Sequence, residues 1–452
     1  MELSLREFVT AVGGKVVGAL AEPDAPLNAV VKDSRDAVPG CLFAAILGER
    51  SDGHDFIAAA AQRDAVCALG QRAPEDCPIP VIIVPDTVEA LGAAAEFYRG
   101  KFDIPIIGVT GSVGKTTAKE LLWHVLSQRF KVHKTFANLN NNLGTPLTLF
   151  GLTREHEAAV IELGISHFGE MTQLARMVRP TIAYFSAIGY AHLEFLENLD
   201  GVLRAKTELL PYLPENGVIF LNGDDAQLCK IKVSRETVRF GLSKDCSVRA
   251  ENVKLLGAEG MSLTIVGGSR RFEARLGAFG LHLVSAALGA AAVGIYLGLT
   301  DEEIARGLAE YSPVGGRSAL ESSGELTIIN DCYNANPNSV ASALDSLTLL
   351  DGRRVAILGD MFELGDDERA LHREVGAKAA NSGVQLLLTT GGLSRETHAG
   401  ALSAGLQNAK HFETRAELIS ALPRLIKSGD SVLVKASHSA RFEEIVEALR
   451  GL

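Results

Sequence analysis

The chain has 452 residues, of which 47% are hydrophobic and 22% are charged, and this composition excludes an intrinsically disordered protein. Its 55 acidic and 44 basic residues give a net charge of −11, which argues against a broad nucleic-acid-binding surface. The charge does not exclude anionic small molecules as ligands, because a few local groups suffice to hold a phosphate.

The predicted elements fall into three blocks along the chain, which we interpret as three domains at residues 1–100, 101–312 and 313–452. The first block contains a predicted helix at 56–61 and a short apolar strand at 81–84. In the second and third blocks, strands alternate with helices, which predicts mostly parallel sheets covered by helices.

The second block begins with a strand, a glycine-rich turn and an amphipathic helix at 115–128, and it ends near an Ala-rich helix at 283–297. Its predicted strands are 104–109, 158–163, 182–187 and 218–221. The predicted strands of the third block are 326–330, 354–358, 386–390 and 431–435, with a final helix at 441–449. The predicted fold class is therefore α/β, with a small α/β first domain, a central P-loop ATPase-like domain and a Rossmann-like third domain.

Two features predict a cytoplasmic location. The N-terminal residues lack the basic and apolar regions of a signal peptide, and the six cysteines are scattered without a CxxC pair. The apolar stretch at 283–299 is interrupted by Gly289, Gly294 and Gly298 and lacks flanking basic residues. It therefore predicts a buried helix, and we expect no membrane insertion.

The strongest local motif is GVTGSVGKTT at 108–117, where a strand leads into a glycine-rich turn that opens a helix. Gly111 and Gly114 allow the backbone to approach phosphate oxygens, Lys115 can reach the β- and γ-phosphates, and the Thr116 hydroxyl can bind Mg²⁺. The strict P-loop pattern places a glycine where this chain has Val109, so a glycine-rich connector without nucleotide remains the alternative. The predicted phosphate-binding residues are Gly111, Ser112, Val113, Gly114, Lys115, Thr116 and Thr117.

Three further polar residues are candidates for a metal site near this loop. Glu162 ends a predicted strand, His192 follows another by a short loop, and Lys206 lies on a predicted helix. Carboxylate, hydroxyl and imidazole groups are suitable ligands for phosphate-bound metal ions. Taken singly, each residue has an alternative interpretation: Glu162 as a helix cap, His192 as a satisfied residue near the surface, and Lys206 as a solvated lysine.

Several motifs together resemble the Mur ligases, the ATP-dependent amide-forming enzymes of peptidoglycan precursor synthesis. They are TGSVGKTT (110–117), NLNNNLGTPLTL (138–149), ELGISHFGE (162–170), AHLE (191–194) and AKTELL (205–210). The N-terminal stretches DSRDAVPGCLFAAI (33–46) and DGHDFI (52–57) resemble the uridine-nucleotide-binding domain of two members of the family. The resemblance covers all three blocks.

Two later stretches resemble one subgroup, whose members join D-alanyl-D-alanine to UDP-N-acetylmuramoyl-tripeptide. These stretches are NDCYNANPNS (330–339) and LGDMFELG (358–365). The sister ligase that adds the third peptide residue has an arginine where this chain has Asn338. The resemblance thus implies small-molecule substrates and peptidoglycan synthesis in the cytoplasm, and we expect a monomer.

The resemblance also implies roles for individual residues. Lys115 and the 111–117 loop would hold the ATP phosphates, with Asn138 and His282 nearby, and Arg317, Asp331 and Asn334 would close over the nucleotide from the third domain. Thr116 and Glu162 would bind one Mg²⁺, and Glu162, His192 and a CO₂-carbamylated Lys206 would bind a second. Ser34, Arg35, Gly53, His54 and Asp55 would form the site for the uridine diphosphate end.

The chain departs from the family pattern at several positions. Leu283 and Ala286 stand where family members have asparagines near the adenine, and His438 replaces an arginine near the C-terminus. Ala137 and Ala436 each replace a glycine. These departures affect the expected adenine and dipeptide contacts and leave the phosphate and metal residues intact.

The sequence leaves several questions open. A carboxylate, a histidine or a phosphate could accept the proton of the incoming amine, and His167 has either a substrate-side or a structural role. The third residue of the acceptor peptide is diaminopimelate or lysine. Competing interpretations are the sister ligase, a folylpolyglutamate-type ligase, a P-loop GTPase, and a UDP-peptide-binding scaffold without activity; the absence of an Asn-Lys pair argues against the GTPase.

Overall fold

The computed structural model describes residues 1–48, 51–313 and 315–452 and contains three sheets, one in each predicted block. The N-terminal sheet has five strands in the order β1-β5-β4-β3-β2, of which β1 is antiparallel to its neighbour. Its elements are α1 (Leu5–Val12), β1 (Lys15–Val17), β2 (Val30–Val31), β3 (Leu42–Ala44), α2 (Ile57–Ala61), β4 (Cys67–Gly70), β5 (Val81–Ile83) and α3 (Thr87–Arg99). Short 3-10 helices cover Ser34–Asp36 and Gly53–Phe56.

The middle sheet has nine strands and is parallel from one edge through β12. Its order is β14-β13-β12-β11-β10-β9-β6-β8-β7. The first half comprises β6 (Ile106–Thr110), α4 (Lys115–Leu126), β7 (Val132–Lys134), α5 (Gly144–Phe150), β8 (Ala158–Glu162), α6 (Glu170–Val178), β9 (Ile182–Phe185), α7 (Leu193–Leu196) and α8 (Leu199–Thr207). The second half comprises β10 (Val218–Asn222), β11 (Thr237–Gly241), β12 (Val248–Leu255), β13 (Met261–Gly267), β14 (Arg270–Leu276), α9 (Leu281–Tyr296) and α10 (Asp301–Glu310).

The third sheet has six strands in the order β15-β16-β20-β17-β18-β19, and only its edge strand β15 is antiparallel among the described pairs. Its elements are β15 (Ala319–Ser323), β16 (Leu326–Asn330), α11 (Pro337–Leu347), β17 (Arg353–Leu358), α12 (Glu368–Asn381), β18 (Leu386–Thr390), α13 (Ser394–Ser403), β19 (Ala409–Phe412), α14 (Arg415–Leu425), β20 (Asp430–Lys435) and α15 (Glu443–Arg450).

The α/β fold class and the mostly parallel central sheet are confirmed. Strands β6 and β8 are buried along their whole length, because helices cover both faces of a parallel sheet and favour continuous Val, Ile and Ala runs. The antiparallel extension β12–β14 was not predicted from the sequence. Its strands mix buried, half-buried and exposed positions without strict alternation. A register shift also interrupts β12 between Glu251 and Lys254.

The Ala-rich segment predicted as a buried helix forms α9, which packs against α4 and strands β10 to β12. Its glycines permit close packing: a Cβ on Gly294 would lie 3.1 Å from side chains of both Ile304 and Val125. Within the described residues, no helix is long and apolar enough to cross a membrane.

Two buried side chains of α3 join the N-terminal sheet to the middle one. The Tyr98 hydroxyl donates a hydrogen bond to the Leu152 carbonyl at 2.7 Å. The Arg99 guanidinium donates to the carbonyls of Val178 and Arg179 at 2.8 and 3.0 Å. Because buried carbonyls need donors, these bonds fix the end of α3 against α6.

The Arg353–Asp430 pair offers a test of the third sheet's packing. Arg353 binds the buried Asp430 carboxylate through two nitrogens at 2.8 and 2.6 Å. Replacing Arg353 with Met leaves that carboxylate without its charged partner, so we expect a loss of about 3 kcal/mol in the free energy of unfolding. Denaturant titration measures the loss, and Arg424→Met at an exposed position is the control. Equal stability of the two variants would contradict the prediction.

Candidate active site

The glycine-rich loop joins the C-terminal end of β6 to α4, at the edge of the sheet where parallel strands present ligands. Gly111 and Gly114 have φ of +149° and +80°, and the Lys115 amine folds back to donate to the Gly111 carbonyl at 2.9 Å. The Ser112 amide donates to the Ala187 carbonyl at 2.7 Å, which fixes the loop to the segment after β9. The fold thus places the P-loop as the sequence predicts.

Thr116 and Glu162 meet across the adjacent strands β6 and β8. The Thr116 hydroxyl lies 3.1 and 3.0 Å from the two carboxylate oxygens of Glu162. Glu162 is 2% exposed, and it also accepts a hydrogen bond from Asn140 at 2.8 Å. A hydroxyl and a carboxylate therefore face one point beside the P-loop, as a divalent-cation site requires.

A cavity of about 430 Å³ connects this point with the third sheet. It brings together most of the predicted nucleotide and metal residues from both sheets. These are Ser112, Val113, Gly114, Lys115, Thr116, Thr117, Asn138, Glu162, His192, His282, Arg317, Asp331 and Asn334. Gly111 belongs to the P-loop and accepts a hydrogen bond from the Lys115 amine. Lys206 is near enough to Lys115 and His192 for their charges to interact.

Three basic side chains, Lys115, Lys206 and Arg317, lie near one another at one end of this cavity. Burial, reinforced by the neighbouring Lys115, lowers the pKa of Lys206 well below its ordinary value. Burial also lowers the pKa of Lys115, with a further contribution from Arg317, although Glu162 opposes the shift. Lys206 is 1% exposed, and no carboxylate among the described residues forms an ion pair with its amine. A buried amine in this setting favours the neutral, nucleophilic form.

His192 and His282 face the cavity as neutral rings. Burial lowers the pKa of His192 and outweighs the Glu363 carboxylate, which lies 2.5 Å from its Nδ1. Burial likewise lowers the pKa of His282, whose Nε2 is 3.0 Å from the Ser318 hydroxyl. Its Nδ1 and the Ser112 hydroxyl are buried without a hydrogen-bond partner among the described residues, so both are available to a ligand.

The third sheet contributes a buried polar network. The Lys435 amine binds the Asp331 carboxylate at 2.6 Å and the Asn334 carbonyl at 2.8 Å, and Asp331 also accepts from the Ser318 amide. The Arg317 guanidinium stacks on Tyr333 at 3.6 Å from the ring centroid. Asp331 and Asn334 thereby have fixed positions opposite the P-loop.

The predicted uridine-diphosphate residues lie elsewhere. The Ser34–Asp36 and Gly53–Phe56 3-10 helices both contact α2 in the N-terminal domain. Arg35 is exposed and paired with Asp33, while His54 is buried, with Nδ1 2.6 Å from Asp52 and Nε2 accepting from the Gln71 amide. His54 therefore supports the turn from inside, whereas Ser34, Arg35 and Asp55 reach the surface.

A second cavity, of about 460 Å³, continues from the P-loop along β9 and β10. Tyr184, Phe240, Leu242 and Ala286 give it apolar walls, and Asn222 and Ser285 add polar groups. Leu283, by contrast, is buried in the core of the middle sheet. A further cavity between α3 and α6 contains none of the predicted site residues.

Other departures also have defined places. Ala137 has φ of +48°, a left-handed conformation that favours glycine. His438 is exposed, with its ring 5.4 Å from that of Tyr333. Both lie beside residues that line the first cavity.

Sequence reasoning missed Lys119, Asn140, Glu363 and Lys435 as site residues. Lys119 is buried one helical turn after Lys115, and its amine lies 3.1 Å from Glu120 and 3.7 Å from Glu162. It also donates to the carbonyls of Thr135 and Ala137 at 2.9 and 3.4 Å. The i, i+4 spacing from Lys115 was the available signal.

Three family models match: "Mur ligase family, catalytic domain" at 26–99, "Mur ligase middle domain" at 109–294 and "Mur ligase, glutamate ligase domain" at 316–438. A UDP-N-acetylmuramoyl-tripeptide–D-alanyl-D-alanine ligase from Escherichia coli is 35% identical over 100% of this chain and 99% of its own length. The chain belongs to the Mur ligase family.

Further relatives of this Mur ligase agree with that assignment. The Bacillus subtilis enzyme of the same name is 34% identical over 98% of each chain. The crystal structure of MurF from Acinetobacter baumannii superposes with a TM-score of 0.90 at 30% identity, covering 100% of this chain and 99% of that one. MurF from Thermotoga maritima in complex with ADP has a TM-score of 0.84 at 26% identity, covering 94% and 97%.

No group of three or more His, Cys, Asp or Glu side chains in the described part of this Mur ligase has a metal-binding arrangement. A divalent cation at Glu162 would therefore need other oxygen ligands from the protein or the substrate. The Thr116 hydroxyl is one such ligand.

The contacts of Lys119 in this Mur ligase generate a prediction. Lys119→Met removes the donor that holds the 135–137 carbonyls and the cation beside Glu162, so we expect kcat to fall about 10- to 100-fold. Steady-state phosphate release measures the change. Lys134→Met is the matched control, because Lys134 also pairs with Glu120 but contacts neither the loop carbonyls nor Glu162. Equal activity of the two variants would show that Lys119 does not position the site.

Proposed function

We propose that the chain is an ATP-dependent ligase that joins D-alanyl-D-alanine to UDP-N-acetylmuramoyl-tripeptide in cytoplasmic peptidoglycan precursor synthesis. The observation that carries the proposal is the convergence of the P-loop, the Thr116–Glu162 pair and the Arg317–Asp331 segment on one cavity. The full-length similarity to ligases of that name supports the substrate assignment.

The reaction proceeds in two balanced steps. The tripeptide carboxylate attacks the γ-phosphorus of ATP, which forms an acyl phosphate and releases ADP. The dipeptide amine then attacks the acyl carbon, an amide bond forms, and phosphate and one proton leave. Activation is necessary because an oxide is a poor leaving group, whereas phosphate is a good one.

The main obstacle in the first step is repulsion between the carboxylate and the γ-phosphate. Lys115 lies at the P-loop, where its amine donates to the Gly111 carbonyl, and Arg317 from the third block is near enough for its charge to act on Lys115. Fixed positive groups in a partly buried cavity stabilise the charge that develops during phosphoryl transfer. Closure of the third domain over the cavity would also exclude water from the acyl phosphate.

We propose two Mg²⁺ sites, one at Thr116 and Glu162 and one at Glu162, His192 and carbamylated Lys206. The residues fit: a hydroxyl and a carboxylate already meet, burial lowers the pKa of His192, and Lys206 is buried with no carboxylate partner among the described residues. Bound Mg²⁺ would neutralise phosphate charge. The chain's own contribution is the lysine chemistry, in which the neutral Lys206 amine adds to CO₂, forms an N–C bond and releases one proton. The resulting carbamate supplies anionic oxygens that an ammonium lacks.

Three further assignments concern the domain boundaries, the adenine and uridine diphosphate sites, and the oligomeric state. We propose domain boundaries near residues 100 and 312, between α3 and β6 and between α10 and β15. The apolar second cavity suits the adenine ring. The half-buried Ser34 and the exposed Arg35 and Asp55 suit the uridine diphosphate end, with Gly53 and His54 supporting the turn. We propose a monomer as the working unit.

A coupled assay with UDP-N-acetylmuramoyl-tripeptide, D-alanyl-D-alanine and Mg-ATP tests the function. Phosphate release should require all three components, because the acyl phosphate must be both formed and consumed. Replacing the dipeptide with diaminopimelate, lysine or glutamate distinguishes the sister and folylpolyglutamate-type ligases. Turnover with one of these amino acids but not with the dipeptide would overturn the proposal.

Carbamylation of Lys206 makes a separate prediction. In CO₂-depleted buffer the parent enzyme should lose most of its turnover and regain it on addition of bicarbonate, because the modification is reversible. Lys206→Arg should reduce turnover at least about 1,000-fold while UDP-substrate binding changes little. Calorimetric titration with the UDP-tripeptide provides the binding control. Parent-like turnover of Lys206→Arg would contradict the carbamate.

A further inference from the structure

The loop after β9 carries His192, and the third domain satisfies several of its polar groups. The Tyr190 amide donates to Asn338 Oδ1 at 3.0 Å, and the Leu193 amide donates to the Glu363 carbonyl at 3.1 Å. The Glu363 carboxylate lies 2.5 Å from His192 Nδ1. Residues 190–193 belong to the middle sheet by sequence, yet their partners belong to α11 and to the segment after β17.

Glu363 is held firmly within its own domain. The Met361 amide donates to Nε2 of the buried His372 at 3.0 Å, and the Phe362 amide donates to the Ser437 hydroxyl at 3.3 Å. Glu363 itself has a left-handed φ of +62°, which a non-glycine residue adopts when its surroundings impose it. Glu363 therefore moves with the third domain as a unit.

Asn338 fits against the same loop with little free space. A Cβ on Gly189 would lie 2.6 Å from Asn338 Oδ1 and 3.3 Å from its Cβ. Asn338 is the second residue of α11, so its position is set by that helix. Glycine at 189 lets the loop backbone approach the third domain this closely.

His192 depends on these contacts for its orientation. It has a left-handed φ of +55°, and its Nδ1 faces the Glu363 carboxylate. The Glu363 carboxylate makes no well-aligned hydrogen bond to Nδ1 among the described residues, so the contact restricts where the imidazole ring lies. The preceding Ala187 carbonyl accepts from the Ser112 amide, so the same segment contacts the P-loop.

We propose that Glu363 and Asn338 form an interdomain clasp on residues 189–193, which sets the position of His192 when the third domain closes. The inference rests on the proposed function, in which His192 is a Mg²⁺ ligand. Glu363 is a positioning residue here. Closure of the third domain would complete the metal site. Phosphoryl transfer would then occur only after this domain, which is expected to bind the dipeptide, has closed.

Hydrogen exchange on the full chain tests the clasp without measuring activity. With Mg²⁺ and a non-hydrolysable ATP analogue, the amides of Tyr190 and Leu193 should exchange slowly in the parent. Asn338→Ala should accelerate exchange at Tyr190 about tenfold or more, because that amide loses its acceptor. Unchanged exchange would overturn the clasp. Glu374→Gln on the exposed face of α12 is the control and should match the parent.

Kinetics give a second, independent test. Glu363→Gln should lower kcat about 10- to 100-fold and raise the Mg²⁺ concentration for half-maximal rate, with the KM for the UDP-tripeptide and the melting temperature unchanged. A merely structural role would not move the Mg²⁺ dependence. Parent-like kcat and Mg²⁺ dependence would refute the clasp while leaving the ligase function intact. If the parent itself fails the three-component assay, the proposed function fails instead.

A third variant tests whether the Gly189 contact exists in the working state. Gly189→Ala should reduce turnover because its Cβ meets Asn338. In the Asn338→Ala background, Gly189→Ala should cause a smaller additional loss, since the amide group at 2.6 Å is gone and only the Cβ at 3.3 Å remains. Additive losses in the double variant would contradict the proposed contact.

Discussion

The meeting of Thr116 and Glu162 at the carboxyl edge of the middle sheet is the contact on which the site depends. It requires β6 and β8 to be adjacent and parallel, with Glu162 beside Val109 in register. That register places the carboxylate in front of the P-loop, where Asn140 and Lys119 then hold it. Without this register, the nucleotide loop and the metal ligands would lie apart.

The site brings several basic side chains close together. Four basic side chains lie in or beside a cavity that contains the buried Glu162 carboxylate, namely Lys115, Lys119, Lys206 and Arg317. Lys119 is neutralised by Glu120 and Glu162, whereas Lys206 has no such partner among the described residues and its pKa falls. Two buried lysines therefore differ: Lys119 is paired with carboxylates, whereas burial and the nearby Lys115 lower the pKa of Lys206.

The third sheet completes the site through side chains that are themselves fixed. Lys435 orders Asp331 and Asn334, and His372 and Ser437 order the segment that carries Glu363. These networks hold the segments of the third block that contact His192 and His282. Such an arrangement suits an enzyme that must bring a nucleotide, a tripeptide and a dipeptide together before reaction.

The sequence by itself determined the parallel strands of the middle and third sheets, the P-loop and the identities of Glu162, His192 and Lys206 as candidates. Continuous apolar runs, glycine spacing and family motifs are local signals. They can be recognised in the sequence without knowing which residues are neighbours in space. Tertiary structure alone decided that β12 to β14 extend the sheet, that Lys119 and Asn140 hold Glu162, and that Glu363 reaches His192. These depend on contacts between residues as far apart as 192 and 363, whose distance in space is set by how whole domains pack rather than by any local pattern.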